Sequence, residues 1–286
     1  MAGLAYAFTI VFGSKLAKAG LAAPTALSIR FGISGVLLLA ACALRRTSLR
    51  PAKGEWLGIF LLGAIGYMVE SSFFFASLAR GTAATVTLIF YVYPALVTVI
   101  EAVRDRRQPT RLMLGALAMS VGGSALVATG GARLAISGAG ILLALCSATT
   151  FAAYVTVGSR LNERSDAIVT GAWVALGASM SFTIRALIGP GYETVHGHWS
   201  MLMGNGLANA VAFGAMFAAL GLLGPARAAV VLTLEAVFAV ILSTTLLNES
   251  ISVLQLVGAI GVLAAAVTVA RMTAPAVAET EAAVAP

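Results

Sequence analysis

Residues 6–16 read YAFTIVFGSKL, and residues 151–161 read FAAYVTVGSRL, 145 positions later. The two stretches have alanine, glycine, serine and leucine at matching positions, and a lysine in the first is replaced by an arginine in the second. A single match of this kind arises easily by chance in sequence rich in alanine and leucine. A second pair of similar stretches further along the chain makes chance a poorer explanation.

The second pair is residues 75–84 (FASLARGTAA) and 217–226 (FAALGLLGPA), which are 142 positions apart. Two matches in the same order and with nearly equal separations indicate an internal repeat. We therefore predict two five-helix units, over residues 1–130 and 137–272. Residues 273–286 are small, polar and acidic, so we expect them to form a disordered cytoplasmic tail.

The composition is that of a protein embedded in a membrane. Hydrophobic residues make up 60% of the 286 residues, charged residues make up 10%, and the mean hydropathy is +0.98. A soluble domain is about 25% charged. The two cysteines, Cys42 and Cys146, lie in apolar segments and predict neither a disulfide framework nor a metal site. The sequence contains no phosphate-binding loop, nucleophile elbow or zinc-protease motif, so we expect neither an enzyme nor a cofactor.

A helix needs about 20 apolar residues to cross the hydrocarbon core of a bilayer. We predict an all-α polytopic membrane protein with ten transmembrane helices, over residues 2–19, 25–44, 55–78, 82–103, 111–130, 137–158, 167–189, 200–222, 226–247 and 252–271. Five spans in each unit force the second unit to cross the bilayer upside down, because it begins on the opposite side. Inverted repeats of this kind are typical of alternating-access transporters.

The distribution of Lys and Arg predicts the orientation in the membrane. Of the 18 such residues, Arg30 lies within the second span, twelve lie on the side of the N-terminus, and five lie on the opposite side: Lys15, Lys18, Arg80, Arg133 and Arg185. Cytoplasmic loops carry the excess of positive charge, so we expect both termini in the cytoplasm. The same bias explains the net charge of +7 without a nucleic-acid partner.

Among the ionisable side chains within the predicted spans, Arg30, Glu70 and Glu235 are the candidates for a functional role. Such groups are costly in a bilayer, by about 2.5–3.5 kcal/mol on insertion scales, and often mark a functional site. Glu235 could be a proton site, a ligand for an amine, or a protonated structural carboxyl group. Arg30 could bind a substrate carboxylate, but we favour a structural role in which it pairs with Glu70 or Glu235 or caps carbonyl groups.

The third span has one face that mixes aromatic and polar side chains. Tyr67, Glu70, Ser71 and Phe74 share this face, because they follow the i, i+3, i+4, i+7 spacing of a helix. This composition differs from that of a lipid-facing surface. It predicts a substrate cavity near the boundary between the two repeats, whereas interhelical hydrogen bonding that only holds the bundle together is the alternative.

Two further features of the sequence point to the same cavity. Asn209 and Phe213 share a face of the eighth span, at the repeat position equivalent to the face in the third span. Pro94 interrupts the fourth span, beside Tyr91, and removes one backbone hydrogen bond. The kink can free backbone groups to face a cavity. A packing kink without ligand contact is the alternative, so we class Pro94 and Arg30 as hinge or structural residues.

Several positions resemble the drug/metabolite transporter superfamily, in its branch with ten helices and two repeats. Tyr6 and Phe151 stand where that family usually has a tryptophan, and Arg30 stands where it has an arginine in the second span. Residues 75–94 (FASLARGTAATVTLIFYVYP) resemble the end of its third span, a tight turn, and a fourth span with a proline in the middle.

Glu249 and Gly258, in NESISVLQLVG, match the acidic residue and the glycine that open the tenth span of that family. Within the superfamily, the chain is most similar to bacterial inner-membrane exporters of amino acids, including aromatic ones. The resemblance implies export by alternating access through a central cavity between the repeats. Carried over to this sequence, the residues that line the cavity would be Tyr67, Glu70, Ser71, Phe74, Tyr91, Tyr154, Trp173, Asn209, Phe213 and Glu235.

We therefore expect a monomeric exporter of amino acids or similar small metabolites in the bacterial inner membrane. A proton-coupled exporter of cationic drugs, with Glu70 or Glu235 as the cation and proton site, is the main alternative. A non-transporting membrane scaffold is the second alternative. The expected partners are a small-molecule substrate and the lipid bilayer, without nucleic acid or metal.

Overall fold

The computed structural model describes residues 1–106, 108–129, 136–189, 192, 195, 197–247 and 252–284. Helices dominate these residues, which contain no strand and one isolated antiparallel bridge between Gly81 and Ile136. The prediction of an all-α polytopic membrane protein is confirmed. Helices suit a bilayer because they satisfy their backbone hydrogen bonds within one segment, where no water is available to do so.

Thirteen α-helices and one π-helical segment follow one another along the described chain. The first half contains α1 (Ala2–Lys18), α2 (Ala23–Leu44), α3 (Trp56–Leu61), the π-helical segment Leu62–Tyr67, α4 (Met68–Leu78), α5 (Ala83–Phe90), α6 (Tyr93–Asp105) and α7 (Arg111–Thr129). The second half contains α8 (Gly138–Leu161), α9 (Ala167–Ile188), α10 (Trp199–Leu223), α11 (Pro225–Leu232), α12 (Leu234–Leu247) and α13 (Val253–Val284).

Nine stretches of the described helices are long and apolar enough to cross a membrane. They are α2, α7, α8, α9 and α10, together with Trp56–Leu78, Thr85–Asp105, Pro225–Leu246 and Val253–Met272. The helix α1 has 17 residues, which is shorter than the roughly 20 of a typical span. The count of ten spans and the division into two units therefore stay predictions.

Three of these spans are interrupted near their middle, and they are the third, fourth and ninth of the ten predicted spans. The third changes from α-helix to π-helix over Leu62–Tyr67. The fourth is broken between α5 and α6, where Pro94 is the second residue of α6 and cannot donate a backbone hydrogen bond. The ninth is broken at Thr233, between α11 and α12. Interruptions of this kind position side chains and backbone groups in ways that a straight helix does not.

The helices pack in pairs that join the two halves of the chain. The helix α1 packs against α10, α2 against α9, α4 against α8, and α7 against α13. Glycines let α7 and α13 approach closely. A Cβ atom on Gly123 would lie 2.6 Å from the carbonyl oxygen of Gly258, and one on Gly258 would lie 2.5 Å from that of Gly123. The buried core lies where α2, α8, α9 and α10 meet the third and fourth spans.

The last helix continues to Val284, so the backbone of residues 273–284 is helical where the composition predicts disorder. Alanine and glutamate, both frequent there, are good helix formers. A short helix without a tertiary contact is marginal in water, and the disordered tail stays a prediction. Arg133, Glu249 and the unit boundary at residue 130 lie outside the described residues.

Candidate substrate site

Phe31 of α2 lies at the centre of an aromatic cluster and is completely buried. Its ring centroid is 4.8 Å from that of Tyr67 and 5.4 Å from that of Phe213, both in edge-to-face geometry, and 6.0 Å from the stacked ring of Phe182. Aromatic pairs at these separations contribute packing energy beyond their buried area. The predicted site residues Tyr67 and Phe213 therefore meet in the core, although they come from different halves of the chain.

Arg30 brings a positive charge to the edge of this cluster. Its Nη2 donates a hydrogen bond to the Tyr67 hydroxyl over 3.3 Å, and its guanidinium carbon lies 4.6 Å from the centroid of the Phe31 ring. Its Nε is buried without a hydrogen-bond partner. Among the described residues, neither Glu70 nor Glu235 forms an ion pair with it, so the expected pairing is not a direct contact.

Glu70 of α4 has 6% of its surface exposed, and both of its carboxylate oxygens accept hydrogen bonds. Ser147 of α8 donates to Oε1 over 2.9 Å, and Ser71 donates to Oε2 over 3.1 Å. The carboxylate therefore joins α4 to α8. This arrangement matches the interhelical hydrogen bonding that was the alternative for this face of the third span.

Glu235 is the second residue of α12 and follows directly after the break at Thr233. In the described part of the molecule, its carboxyl group has neither a hydrogen bond nor an ion pair. The backbone of Glu235 packs against α1, where a Cβ atom on Gly3, three residues before Tyr6, would lie 2.9 Å from its nitrogen. The rings of Phe213 and Tyr67 connect Tyr6 to Arg30. Glu235 and Arg30 therefore approach the same central region from different halves of the chain.

Tyr6, Tyr67 and Glu235 each keep part of their surface accessible, so a small molecule can contact them. We call the group formed by Tyr6, Arg30, Tyr67, Phe213 and Glu235 the central site.

A row of aromatic rings extends from the central site along α8. The ring of Tyr154 lies 5.8 Å from that of Tyr67 and 5.7 Å from that of Phe151. Phe151 is 5.3 Å from Phe90, which is 5.4 Å from Phe74. The Tyr154 hydroxyl is buried without a hydrogen-bond partner. Tyr154 therefore adjoins the central site, whereas Phe74 lies at the far end of the row.

Asn209 of α10 is fully buried at the contact with α2. Its Nδ2 donates to Oγ of Ser34 over 2.9 Å, and the Ser34 hydroxyl lies 2.7 Å from the backbone oxygen of Arg30 and 2.9 Å from that of Gly206. These contacts hold the backbone of α2 at Arg30 against α10. They fix the position of Arg30 in the central site, although the Asn209 amide is not itself part of that site.

Tyr91 lines a separate cavity of about 220 Å³ between α5 and α12. Thr87, Ala236, Val240 and Thr244 lie on its walls. Along α12 the cavity extends from Ala236, the residue after Glu235, to Thr244. Tyr91 therefore lines a cavity whose walls include none of the residues of the central site.

Trp173, another predicted site residue, lies near the start of α9 and away from the central site. Its indole Nε1 donates a hydrogen bond over 2.9 Å to the backbone oxygen of Leu49, in the loop between α2 and α3. Its ring centroid is 6.5 Å from that of Phe60. Trp173 therefore fastens a loop to the bundle.

A further cavity does not coincide with the central site. It has a volume of about 800 Å³ and opens between α2, α10 and the loop that precedes α9. Leu38, Arg45, Asp166 and Gly214 are among its lining residues, which include none of the predicted site residues. Volume alone therefore does not identify the site.

Tyr6, Phe31 and Phe182 were not among the residues predicted for the site. The ring of Tyr6 lies 6.4 Å from that of Phe213, and its hydroxyl donates to the sulfur of Met216 over 3.2 Å. The sequence contained a signal for Tyr6, since it stands where the superfamily has a tryptophan. Phe31 and Phe182 are apolar residues in apolar spans, and no such signal distinguishes them.

The chain is similar to proteins that are already known. The uncharacterized inner membrane transporter YicL of Salmonella typhimurium is 27% identical over 137 residues, a stretch that spans 47% of this chain and 44% of that protein. The crystal structure of another protein, with 18% sequence identity, superposes with a TM-score of 0.78 over 95% of both chains. Identity this low shows a shared fold alone.

The chain also matches the model of a family of transporters. The model of the EamA-like transporter family matches residues 1–129 and, a second time, residues 138–271. The resemblance to the drug/metabolite transporter superfamily is thereby confirmed. Because the two matches cover most of its length, the chain belongs to the EamA-like transporter family.

Proposed function

We propose that the protein exports amino acids, including aromatic ones, or closely similar small metabolites across the bacterial inner membrane. The central site carries this proposal, because it combines the opposite charges of Arg30 and Glu235 with the rings of Tyr6, Tyr67 and Phe213. An amino acid needs polar partners for its ammonium and carboxylate groups and apolar partners for its side chain. Membership of a transporter family supports the more general conclusion that the protein moves a solute across the membrane.

The proposed mechanism is alternating access between two inverted repeats. In the predicted repeat, α1 corresponds to α8 and α10 corresponds to α4, so the contact between α1 and α10 has its equivalent in the contact between α8 and α4. The contacts of α2 with α9 and of α7 with α13 each join a helix to its own equivalent in the other half. The breaks at Tyr91 and Thr233 are separated by 142 positions, as are the similar stretches 75–84 and 217–226. The two matches of the family model support the same division.

The observed arrangement suits one end state of such a cycle. On the side of the basic loops, α6 packs against α11, where the Tyr93 hydroxyl donates to the backbone oxygen of Ala229 over 3.2 Å. Beyond the two breaks, the cavity of about 220 Å³ separates α5 from α12. With the basic loops in the cytoplasm, α6 and α11 are therefore in contact on the cytoplasmic side, and α5 and α12 are separated on the outer side.

A proton-coupled exporter of cationic drugs is the second candidate, and Glu235 favours it. Its carboxyl group, which lacks a hydrogen bond and an ion pair among the described residues, can accept a proton or hold a cation. Arg30 disfavours this candidate, because a positive charge near the same site repels a cationic ligand. The family match makes a non-transporting scaffold the poorest of the three explanations.

Uptake into proteoliposomes tests the proposal. Purified protein is assayed with a panel of amino acids and with lipophilic cations, with and without an imposed pH gradient. Uptake of aromatic or aliphatic amino acids supports amino-acid export. Uptake of lipophilic cations without uptake of amino acids would identify the protein as a drug exporter. If neither class of compound is taken up, both candidate functions are wrong.

Replacement of Glu235 identifies the part played by its carboxyl group. We expect Glu235→Gln to reduce uptake at unchanged expression and to remove any dependence on the pH gradient. Glu163→Gln is the matched control, because Glu163 is an exposed carboxylate in the loop after α8. If both variants lose uptake to the same degree, the loss does not arise from the carboxyl group in the central site.

A further inference from the structure

We propose that Arg30 binds the carboxylate of a zwitterionic substrate while Glu235 binds its ammonium group. This inference rests on the proposed export of amino acids and extends it, because it names the residue pair that selects zwitterions over amines and acids. It also gives Arg30 a ligand-binding role in place of the structural role expected from the sequence.

The hydrogen-bonding capacity of Arg30 is largely unused. A guanidinium group has five N–H donors, and Arg30 makes one side-chain hydrogen bond, the contact of 3.3 Å with the Tyr67 hydroxyl. Its Nε is buried without a partner. An unsatisfied buried donor is costly, and a carboxylate can satisfy two N–H groups of a guanidinium at once. The chemistry of this position therefore favours a carboxylate ligand.

The acidic residues nearby do not supply that carboxylate. Both oxygens of Glu70 accept hydrogen bonds from Ser71 and Ser147. Glu235 forms no ion pair with Arg30 in the described structure and comes from the other half of the chain. A Cβ atom on Gly3, three residues before Tyr6, would lie 2.9 Å from the backbone nitrogen of Glu235. Both charged groups are therefore available to a ligand that carries two charges of opposite sign, such as the carboxylate and ammonium on the α-carbon of an amino acid.

The walls beside the two charges suit the rest of such a substrate. Phe31 lies under the guanidinium group, with 4.6 Å from its ring centroid to the guanidinium carbon. Phe213 contacts Phe31, Tyr67 and Tyr6, with centroid separations of 5.4, 6.0 and 6.4 Å. Binding sites for small molecules combine apolar walls with a few placed polar groups. Phe31 and Phe213 are completely buried and support Tyr6 and Tyr67, which keep accessible surface. An aromatic or aliphatic side chain would pack against the rings of these two tyrosines.

Competition by three compounds with the same ring tests the proposal on the full-length protein in proteoliposomes. Phenylalanine carries both charges, 2-phenylethylamine lacks the carboxylate, and 3-phenylpropionate lacks the ammonium group. In the wild type, we expect phenylalanine to bind about tenfold or more tightly than either analogue, since each analogue leaves one charged residue without its partner. Equal binding of phenylalanine and 2-phenylethylamine by the wild type would overturn the proposal.

Variants of Arg30 separate a ligand role from a structural one. Arg30→Gln should weaken phenylalanine binding about tenfold or more, whereas 2-phenylethylamine should bind as tightly as in the wild type or more tightly, because the positive charge that repels a cation is removed. Arg30→Lys keeps the positive charge but not the planar pair of N–H donors that binds both oxygens of a carboxylate, so its loss of phenylalanine binding should be intermediate. This variant replaces Arg30→Gln in the test if Arg30→Gln does not fold. Arg185→Gln is the matched control, because Arg185 is exposed and donates to Oγ of Ser72 over 3.0 Å. A loss of both ligands to the same degree would indicate a structural role and contradict the proposal.

The outcomes also distinguish this proposal from the proposed function. If the protein transports amino acids and the Arg30 variants bind phenylalanine as tightly as the wild type, export stands and the role of Arg30 is wrong. If amino acids are not transported but 3-phenylpropionate binds and its binding is lost in Arg30→Gln, the carboxylate site stands and amino-acid export is wrong.

Discussion

The carboxylate of Glu101, near the end of α6, accepts a hydrogen bond from the backbone N–H of Ala226, which lies 2.9 Å away in the first turn of α11. The first N–H groups of a helix lack partners within the helix, and negative charge is favourable at that end. Arg104 lies 3.8 Å from the other carboxylate oxygen. One side chain thus fastens the two halves of the chain on the side that the proposed cycle must open.

Glu101→Ala should weaken this closure and make the contact between α6 and α11 more accessible from the side of the basic loops. A reporter cysteine at Ala229, which is fully buried, would show the change in a background without Cys42 and Cys146. We expect labelling by a membrane-impermeant maleimide in inverted vesicles to become several-fold faster. Labelling at an unchanged rate would contradict this role of Glu101, and Glu163→Ala should have no effect.

Ser147→Ala should destabilise the contact between α4 and α8, because it removes one of the two hydroxyl donors to the buried carboxylate of Glu70. The expected loss is about 1–3 kcal/mol in the free energy of unfolding, measured by denaturant unfolding in detergent. Thr150→Ala is the control, since its hydroxyl donates to the backbone oxygen of Cys146 in its own helix. Equal stability of the two variants would mean that the Glu70 contact contributes little.

Gly258→Ala should force α7 and α13 apart, because the added Cβ would lie 2.5 Å from the carbonyl oxygen of Gly123. Overpacking of this kind costs about 1–3 kcal/mol and should lower the melting temperature of the protein in detergent. Gly122→Ala is the matched control, since a Cβ there meets no atom within 4 Å. The contact is unimportant if both variants melt at the wild-type temperature.

Trp173→Phe should leave amino-acid uptake nearly unchanged, because the indole contacts the Leu49 carbonyl and not the central site. The variant should lose about 1 kcal/mol of stability with the lost hydrogen bond. Phe213→Leu should instead weaken the binding of aromatic substrates while the protein remains folded, since it removes a ring from the central site. Competition assays on both variants check this contrast, and a larger effect of Trp173→Phe on binding would reverse the two assignments.

Local patterns in the sequence predicted the spans and part of the central site. Hydropathy and helical spacing are properties of a single segment, so the faces that hold Tyr67 and Phe213 could be predicted before their neighbours were known. The two rings meet at 6.0 Å between centroids. The break at Pro94 was predictable for the same reason, since a missing N–H acts within its own helix.

The partners of individual polar groups could not be predicted in this way. The ligand of the Trp173 indole is a loop carbonyl, at Leu49, and backbone atoms leave no mark in the pattern of side chains. Glu70 and Glu235 look alike as isolated acidic residues in apolar spans. Only the rotation and pairing of the helices surround Glu70 with hydroxyl donors and leave Glu235 without any among the described residues.

The π-helical segment Leu62–Tyr67 has a consequence for how this chain can vary in length. A π-helical turn holds one residue more than an α-helical turn needs, so the deletion of one residue there would restore a regular helix. The residues that follow would keep their angular positions around the helix axis, because the π-helical turn already absorbs the extra residue, so Tyr67 would stay beside Arg30 and Glu70 beside Ser147. A gap of one residue at this point in a relative would therefore preserve the central site, whereas a gap in a regular α-helical part of the same span would turn the following residues by about 100°.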